Sequence, residues 1–151
     1  AFRRSLYFPE LLFKLDLSGH REERLLLKLE AQDQGVPYEP SMVLIKGCGF
    51  VFSFPVPPDA VLCAMKISAM LARGKGRDYY DTMFLLSQTE PDYSFLAARC
   101  NIQSLPELKE AVATSLQSVD LAHKQRDFEH LLFNRQNSAR IQQFPEFIRS
   151  L

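Results

Sequence analysis

The sequence predicts an α+β fold in which a small antiparallel or mixed sheet precedes a C-terminal helical bundle. Three observations carry this. Apolar residues alternate with polar ones in the first third of the chain, the period of a half-buried strand. Pro55, Pro57 and Pro58 then interrupt the pattern, and proline lacks the N–H that a ladder needs. Beyond them the apolar residues fall at helical spacing, so strands come first and helices follow. The boundary is set at 58/59, giving a sheet region over 1–58 and a helical region over 59–151.

In the sheet region, Leu6 to Leu17 reads as one strand, with Phe13, Leu15 and Leu17 alternating against Lys14 and Asp16. Residues 18–23 are a polar link. Arg24 to Ala31 is a second strand, with Leu27 and Leu29 on one face and Lys28 and Glu30 on the other. The pair suggests an antiparallel hairpin. Gly35, Pro37 and Pro40 mark a turn-rich stretch. Met42 to Ile45 and Phe50 to Phe54 are two further strands around Gly47 and Gly49.

In the helical region, Asp59 caps a helix to about Ala72, with Leu62, Met65, Ala69 and Leu71 on one face. Gly74 and Gly76 loosen the chain. A second helix covers Asp78 to Ser87, and a third starts at Ser104, where Ser104 and Glu107 have capping-box spacing. A fourth runs from about Leu121 to Phe133, and Pro145 closes or interrupts a last short one.

Composition narrows the function classes. The 151 residues suffice for one core without disulfides or metal. Eighteen basic and eighteen acidic residues cancel, so no global field steers the chain to nucleic acid and any such contact needs a local patch. No apolar run is long enough to span a membrane and no signal peptide is visible, which predicts a cytoplasmic protein. Cys48, Cys63 and Cys100 are odd in number and widely spaced, and are expected to be buried thiols.

The informative stretch is Lys66 to Asp81, KISAMLARGKGRDYYD. It holds the cations Lys66, Arg73, Lys75 and Arg77 with no acid between them, followed by Asp78 and Asp81. On a continuous helix, Lys66, Met70 and Arg73 share a stripe, and Arg77 and Asp81 are one turn apart. Cations beside paired carboxylates suit phosphate chemistry, because Lys acts as a point charge, Arg forks onto two oxygens, and carboxylates hold Mg²⁺ or take a hydroxyl proton. A solvated face with intrahelical ion pairs accounts for the same spacing and stays open.

The run KISAMLARGKGRDYYDTMFLL resembles the signature of the AbiEii family of nucleotidyltransferase toxins, in which a helical Lys is followed by R-x-K-x-R-D and a further Asp. Lys66 matches that Lys; Arg73, Lys75, Arg77 and Asp78 match the middle segment; Asp81 matches the last Asp. FSFPVPPDAVLCAMK resembles the family's entry into the helix. The resemblance is strong over about Phe52 to Leu86 and implies the C-terminal part of a nucleotidyltransferase fold. It implies an enzyme that moves a nucleotidyl group from an NTP to an acceptor such as RNA, with Mg²⁺ as cofactor and a separate antitoxin. In that frame Lys66 grips the triphosphate, and Arg73, Lys75 and Arg77 complete the anion site. Asp81 orients Lys66 or acts as base, and Asp78 anchors Arg77 or a backbone turn. Glu30 resembles the third metal carboxylate, with Asp16 a weaker candidate for the same place.

One departure stands out. No Gly-Gly or Gly-Ser turn leads into a D-x-D pair; Gly47-Cys48-Gly49 is followed by FVFSF. The metal-binding pair of two-metal phosphoryl transfer is therefore not in this sequence. The expectation is of a removed N-terminal half or a degenerate remnant. The competing functional reading is an inactive module whose exposed sheet edge favours a homodimer or strand exchange. His20 lies in a polar turn, His123 and His130 are seven apart on a helix with no third ligand for a metal, Tyr79 and Tyr80 are expected to pack rather than stack on a base, and no serine has hydrolase-triad partners.

Overall fold

A computed structural model describes residues 1–151 and has the α+β order the sequence predicts: four strands, then helices. The strands are β1 (Phe2–Pro9), β2 (Arg24–Ala31), β3 (Ser41–Gly47) and β4 (Phe50–Val56). They form two separate two-stranded sheets rather than one. β1 pairs antiparallel with β2 from Phe2–Ala31 to Pro9–Arg24, and β3 with β4 from Ser41–Val56 to Gly47–Phe50. Each strand pairs with its neighbour in sequence, β1 with β2 across residues 10–23 and β3 with β4 across a tight turn. The β3–β4 turn is Cys48-Gly49, with both residues at positive φ. Cys48 is therefore exposed at a turn, contrary to the buried thiol expected; Cys63 is buried, and Cys100 half-buried. Burial pushes the Cys63 thiol up to about 11, which keeps it protonated and inert.

The strand expected over Leu6–Leu17 ends early. Pro9 closes β1, Glu10 turns into the left-handed region at φ 57°, and α1 (Leu11–Lys14) follows. Lys14 reaches back to Glu10 one turn away. The alternation seen in Phe13, Leu15 and Leu17 belongs to this turn of helix and its exit.

Packing divides the chain into two units, Ala1–Val36 and Pro37–Leu151. The first is the β1–β2 hairpin with α1. The second holds the β3–β4 hairpin and α2 (Asp59–Arg73), α3 (Gly76–Leu86), α4 (Tyr93–Cys100), α5 (Leu105–Leu116), α6 (Leu121–Phe128) and α7 (Phe144–Ser150). A stretch of 3₁₀ helix, Glu129–Leu131, takes the place of the expected continuation of α6 to Phe133, and a second, Arg135–Gln143, leads into α7. α4 was not legible as a helix in the sequence. Its cap is orthodox, with Asp92 accepting from the Phe95 amide. At α5 the expected capping box is displaced by one residue: Ser104 makes no side-chain cap, while Glu107 accepts from the Gln103 amide.

The core lies wholly in the helices. Ile67 and Met70 of α2, Tyr79 of α3, Phe95 and Leu96 of α4, Leu108 and Val112 of α5 and Phe144 of α7 are all buried, and no residue before Val61 is. Tyr79 meets Phe144 edge-on at 5.2 Å, and Tyr80 meets Phe128 at 5.6 Å, so both tyrosines pack on the helical core. In contrast, every large exposed apolar residue except Phe84, Leu131, Phe133 and Leu151 precedes Pro55, on or beside the hairpins.

Gly76 does not loosen the chain; it lets α3 and α6 touch. A Cβ there would lie 1.9 Å from the Lys124 carbonyl oxygen and 2.7 Å from the Phe128 ring. We expect Gly76→Ala to destabilise the fold by about 1–3 kcal/mol, the usual cost of overpacking, through separation of α3 from α6. Urea denaturation of the two proteins checks this, and an unchanged midpoint would show that the helices yield freely.

Candidate functional site

The candidate segment is a helical hairpin, broken near Gly74 as the sequence suggests. α2 stops at Gly74, which is left-handed at φ 54°, and α3 starts two residues later, at Gly76. Lys66 and Arg73 thus sit on α2, Lys75 on the turn, and Arg77, Asp78 and Asp81 on α3. The fold-back brings Lys66 Nζ to 2.6 Å from Asp81 Oδ2, across fifteen residues of sequence. Both side chains of this pair are about one-third exposed, at 34% and 35%. Such a pair contributes no more than about 1 kcal/mol, and an incoming anion can compete for the ammonium at little cost.

Asp78 is the buried member, with its side chain inaccessible. Arg73 donates to it twice, Nε to Oδ2 at 2.9 Å and Nη2 to Oδ1 at 2.7 Å. The Lys75 amide adds a third bond to Oδ2 at 3.1 Å, and the Asp78 amide donates back to the Lys75 carbonyl at 2.8 Å. Asp78 therefore anchors the backbone turn, and its guanidinium partner is Arg73 rather than Arg77. Burial by itself would raise the Asp78 carboxyl. The Arg73 fork, the Lys75 amide and the charges of Arg73 and Arg77 outweigh it and hold the carboxyl below its usual range.

Lys75 and Arg77 are exposed and form no salt bridge. They flank the start of α3 and line an open cavity of about 360 Å³ with Phe128 and His130. Arg77 lies one helical turn before Asp81. The segment thus separates into a clamped half, Arg73 with Asp78, and an accessible half, Lys66, Lys75, Arg77 and Asp81.

Glu30 belongs to the other unit. It stands on β2 and pairs with Arg3 at 2.6 Å and Lys28 at 3.1 Å, and the bond to Lys28, with the charges of Arg3 and Lys28, outweighs desolvation and lowers its carboxyl. Asp16 follows α1 with φ 56°. No group of three or more His, Cys, Asp or Glu side chains converges anywhere in the structure. A Mg²⁺ ion needs near-octahedral oxygen ligation, usually anchored by one or two free carboxylates. Asp78, Asp81 and Glu30 are each occupied by cationic partners. The carboxylates present therefore do not form a Mg²⁺ site among themselves. His123 meets only Asp127, at 3.5 Å. No helix is long and apolar enough to cross a membrane.

Comparison with known proteins gives one result. A family described as nucleotidyl transferase AbiEii toxin, type IV TA system, matches residues 15–147. No curated protein and no solved structure matches the chain.

The Asp78 clamp predicts an acid limit on stability. A carboxyl held low in the folded state adds stability above its unfolded pKa, near ~3.9, and that contribution is lost as pH falls through the lower folded value. We expect Asp78→Asn to cost about 2–4 kcal/mol at pH 7, because it leaves Arg73 without its buried acceptor, and to flatten the loss of stability below about pH 4. Denaturant melts of wild type and variant across pH 2–7 measure both effects.

Proposed function

The chain belongs to the AbiEii family of nucleotidyltransferase toxins of type IV toxin–antitoxin systems, and from that premise we propose that its α2–α3 hairpin is a triphosphate-binding element, with Lys66 as the residue that contacts the NTP. The observation that carries this reading is the Lys66–Asp81 pair, a partly exposed ammonium preset by a weak partner, on the same helical hairpin as the unpaired cations Lys75 and Arg77. A triphosphate offers oxygens of higher charge density than one carboxylate, so it draws Lys66 away from Asp81. Lys75 and Arg77 supplement the anion site. Arg73 and Asp78 act indirectly, by fixing the turn from which those cations project.

Release of Lys66 frees the Asp81 carboxylate. In the reading proposed, Asp81 then accepts the proton of an acceptor hydroxyl as its oxygen attacks the α-phosphorus and pyrophosphate leaves. Family membership implies an NTP substrate and a cognate antitoxin. An RNA hydroxyl is the acceptor we favour, in the cytoplasm where NTP and RNA meet. No step is assigned to a metal, since Asp78, Asp81 and Glu30 are each paired with cations. Glu30 enters the proposal only as a carboxylate available to a metal if its ion pairs with Arg3 and Lys28 open.

A second reading rests on a different observation. Both faces of the β3–β4 hairpin carry exposed apolar side chains: Met42, Val43, Leu44 and Ile45 on one strand, Phe50, Val51, Phe52 and Phe54 on the other. A two-stranded hairpin is marginal alone in water, and such a surface favours association. In this reading the chain is a catalytically silent module that forms a homodimer.

Titration of ATP and GTP, with and without Mg²⁺, into the purified chain separates the two readings. The first predicts binding that Lys66→Ala weakens at least about tenfold, the loss of one charge-assisted contact. Equal binding by Lys66→Ala, or none by a folded wild type, removes Lys66 from the role. A dimer by light scattering together with absent NTP binding is the outcome the second reading predicts.

A further inference from the structure

α3 carries an aromatic surface that the triphosphate reading leaves unused. Four large apolar side chains beyond Pro55 are exposed, and Phe84, at 60%, is the one that stands within an α-helix. A single exposed Phe is ordinary on a protein surface, so its surroundings decide what it is for.

Phe84 lines a cavity of about 190 Å³ with Tyr80, Met83 and Ser87 of the same helix and with Arg140 and Phe147. Tyr80, Met83, Phe84 and Ser87 stand at i, i+3, i+4 and i+7, which is one face of α3. Three of the six walls are aromatic rings and none is a carboxylate. Arg140 is exposed and forms no salt bridge. The lining therefore suits a flat, uncharged π-system and offers nothing to balance a cationic guest. Pockets that enclose whole small molecules start at roughly 300 Å³, so this one admits a single planar group rather than an entire nucleotide.

The position of Phe84 joins that cavity to the Lys66–Asp81 pair. Asp81 lies three residues before Phe84, so their Cβ atoms are neighbours at about 5–6 Å on the helix surface. Arg77, Asp81 and Phe84 stand at i, i+4 and i+7 and form one stripe, which rises roughly 10 Å along the axis. The stripe runs from an unpaired cation in the first turn, past Lys66 docked on Asp81, to an aromatic ring in the last turn. A nucleoside triphosphate has the same order of chemistry, with anionic phosphates at one end and a stacking base at the other. The last turn is also fixed in place, because Ser87 Oγ and Gln88 Nε2 donate to the Phe84 carbonyl at 2.7 and 3.0 Å.

We propose that Phe84 is the base-stacking residue of the nucleotide site: the base of the bound NTP lies on its ring, in the cavity closed by Tyr80 and Phe147, while the phosphates meet Lys66 and Arg77. The proposal rests on the triphosphate reading above and adds to it the place of the base. Tyr80 stays packed on Phe128 and serves as a wall, not as the platform. Every base has a π-face, so the subsite holds the base without strong choice among the four NTPs.

The test is an NMR titration of the full chain with ATP and, separately, with inorganic tripolyphosphate, which has the anionic end but no base. In the wild-type complex the adenine ring protons are expected to move upfield, the ring-current signature of a stack. Phe84→Ala should weaken ATP at least about fivefold, the loss of one base stack, and leave tripolyphosphate binding as in wild type. Phe84→Leu keeps apolar bulk and should behave as Phe84→Ala, whereas Phe84→Trp should retain ATP affinity. Lys66→Ala should weaken both ligands. ATP affinity that is the same in Phe84→Ala as in wild type, equal loss of tripolyphosphate in that variant, full affinity in Phe84→Leu, or unshifted adenine protons would overturn the stack. If tripolyphosphate binding still depends on Lys66, that failure leaves the triphosphate reading standing. Absent tripolyphosphate binding, or binding indifferent to Lys66, removes the triphosphate reading and this inference with it.

Discussion

A single buried carboxylate organises the α2–α3 hairpin. Asp78 has no access to solvent, and burying an ionised group is costly unless it is fully bonded. Three bonds meet that cost: two from the Arg73 fork and one from the Lys75 amide. They join the last residue of α2 to the first turn of α3 across Gly74, which as a glycine takes the left-handed conformation of the turn without strain. Tyr79, next along α3, is then directed into the core against Phe144, and Gly76 lets α3 lie directly on α6. The direction of α3 relative to α2 follows from these contacts. That direction is what brings Asp81 to Lys66.

The same arrangement divides labour among residues that look alike in sequence. Arg73 and Arg77 are both arginines in one short motif, yet Arg73 is tied to Asp78 and Arg77 is free. Lys66 has a weak partner and Lys75 has none. A phosphate-binding surface needs cations that are positioned but not neutralised, and the accessible half of the segment meets that requirement. The clamped half supplies rigidity, which limits the side-chain ordering that binding must otherwise bring about.

Much of this was legible in the sequence. β2 was expected at Arg24–Ala31 and is found there, marked by the alternation of Leu27, Lys28, Leu29, Glu30 and Ala31. The order of strands before helices was legible too, and so was the break near Gly74 between a helix ending at about Ala72 and a second helix. Two features were not. The Arg73–Asp78 fork spans that break, whereas the family resemblance offered Asp78 either Arg77 or a backbone turn, of which the turn is found. The contact of the Tyr79 hydroxyl with Ser115 arises from tertiary packing and has no sequence signal. The hairpins show the limit of patterning in another way: their alternation predicts strands correctly, but the apolar faces stay exposed in this chain.

The central claim is that Arg73 and Asp78 act as one unit that sets the helix pair. A double-mutant cycle on denaturant stability, with Arg73→Met, Asp78→Asn and the two combined, measures this most directly. The account predicts strong coupling, above about 1 kcal/mol, with the double variant little worse than Asp78→Asn alone. Additive losses within about 0.3–0.5 kcal/mol would mean that the two side chains act independently, and the clamp would not be what orients α3.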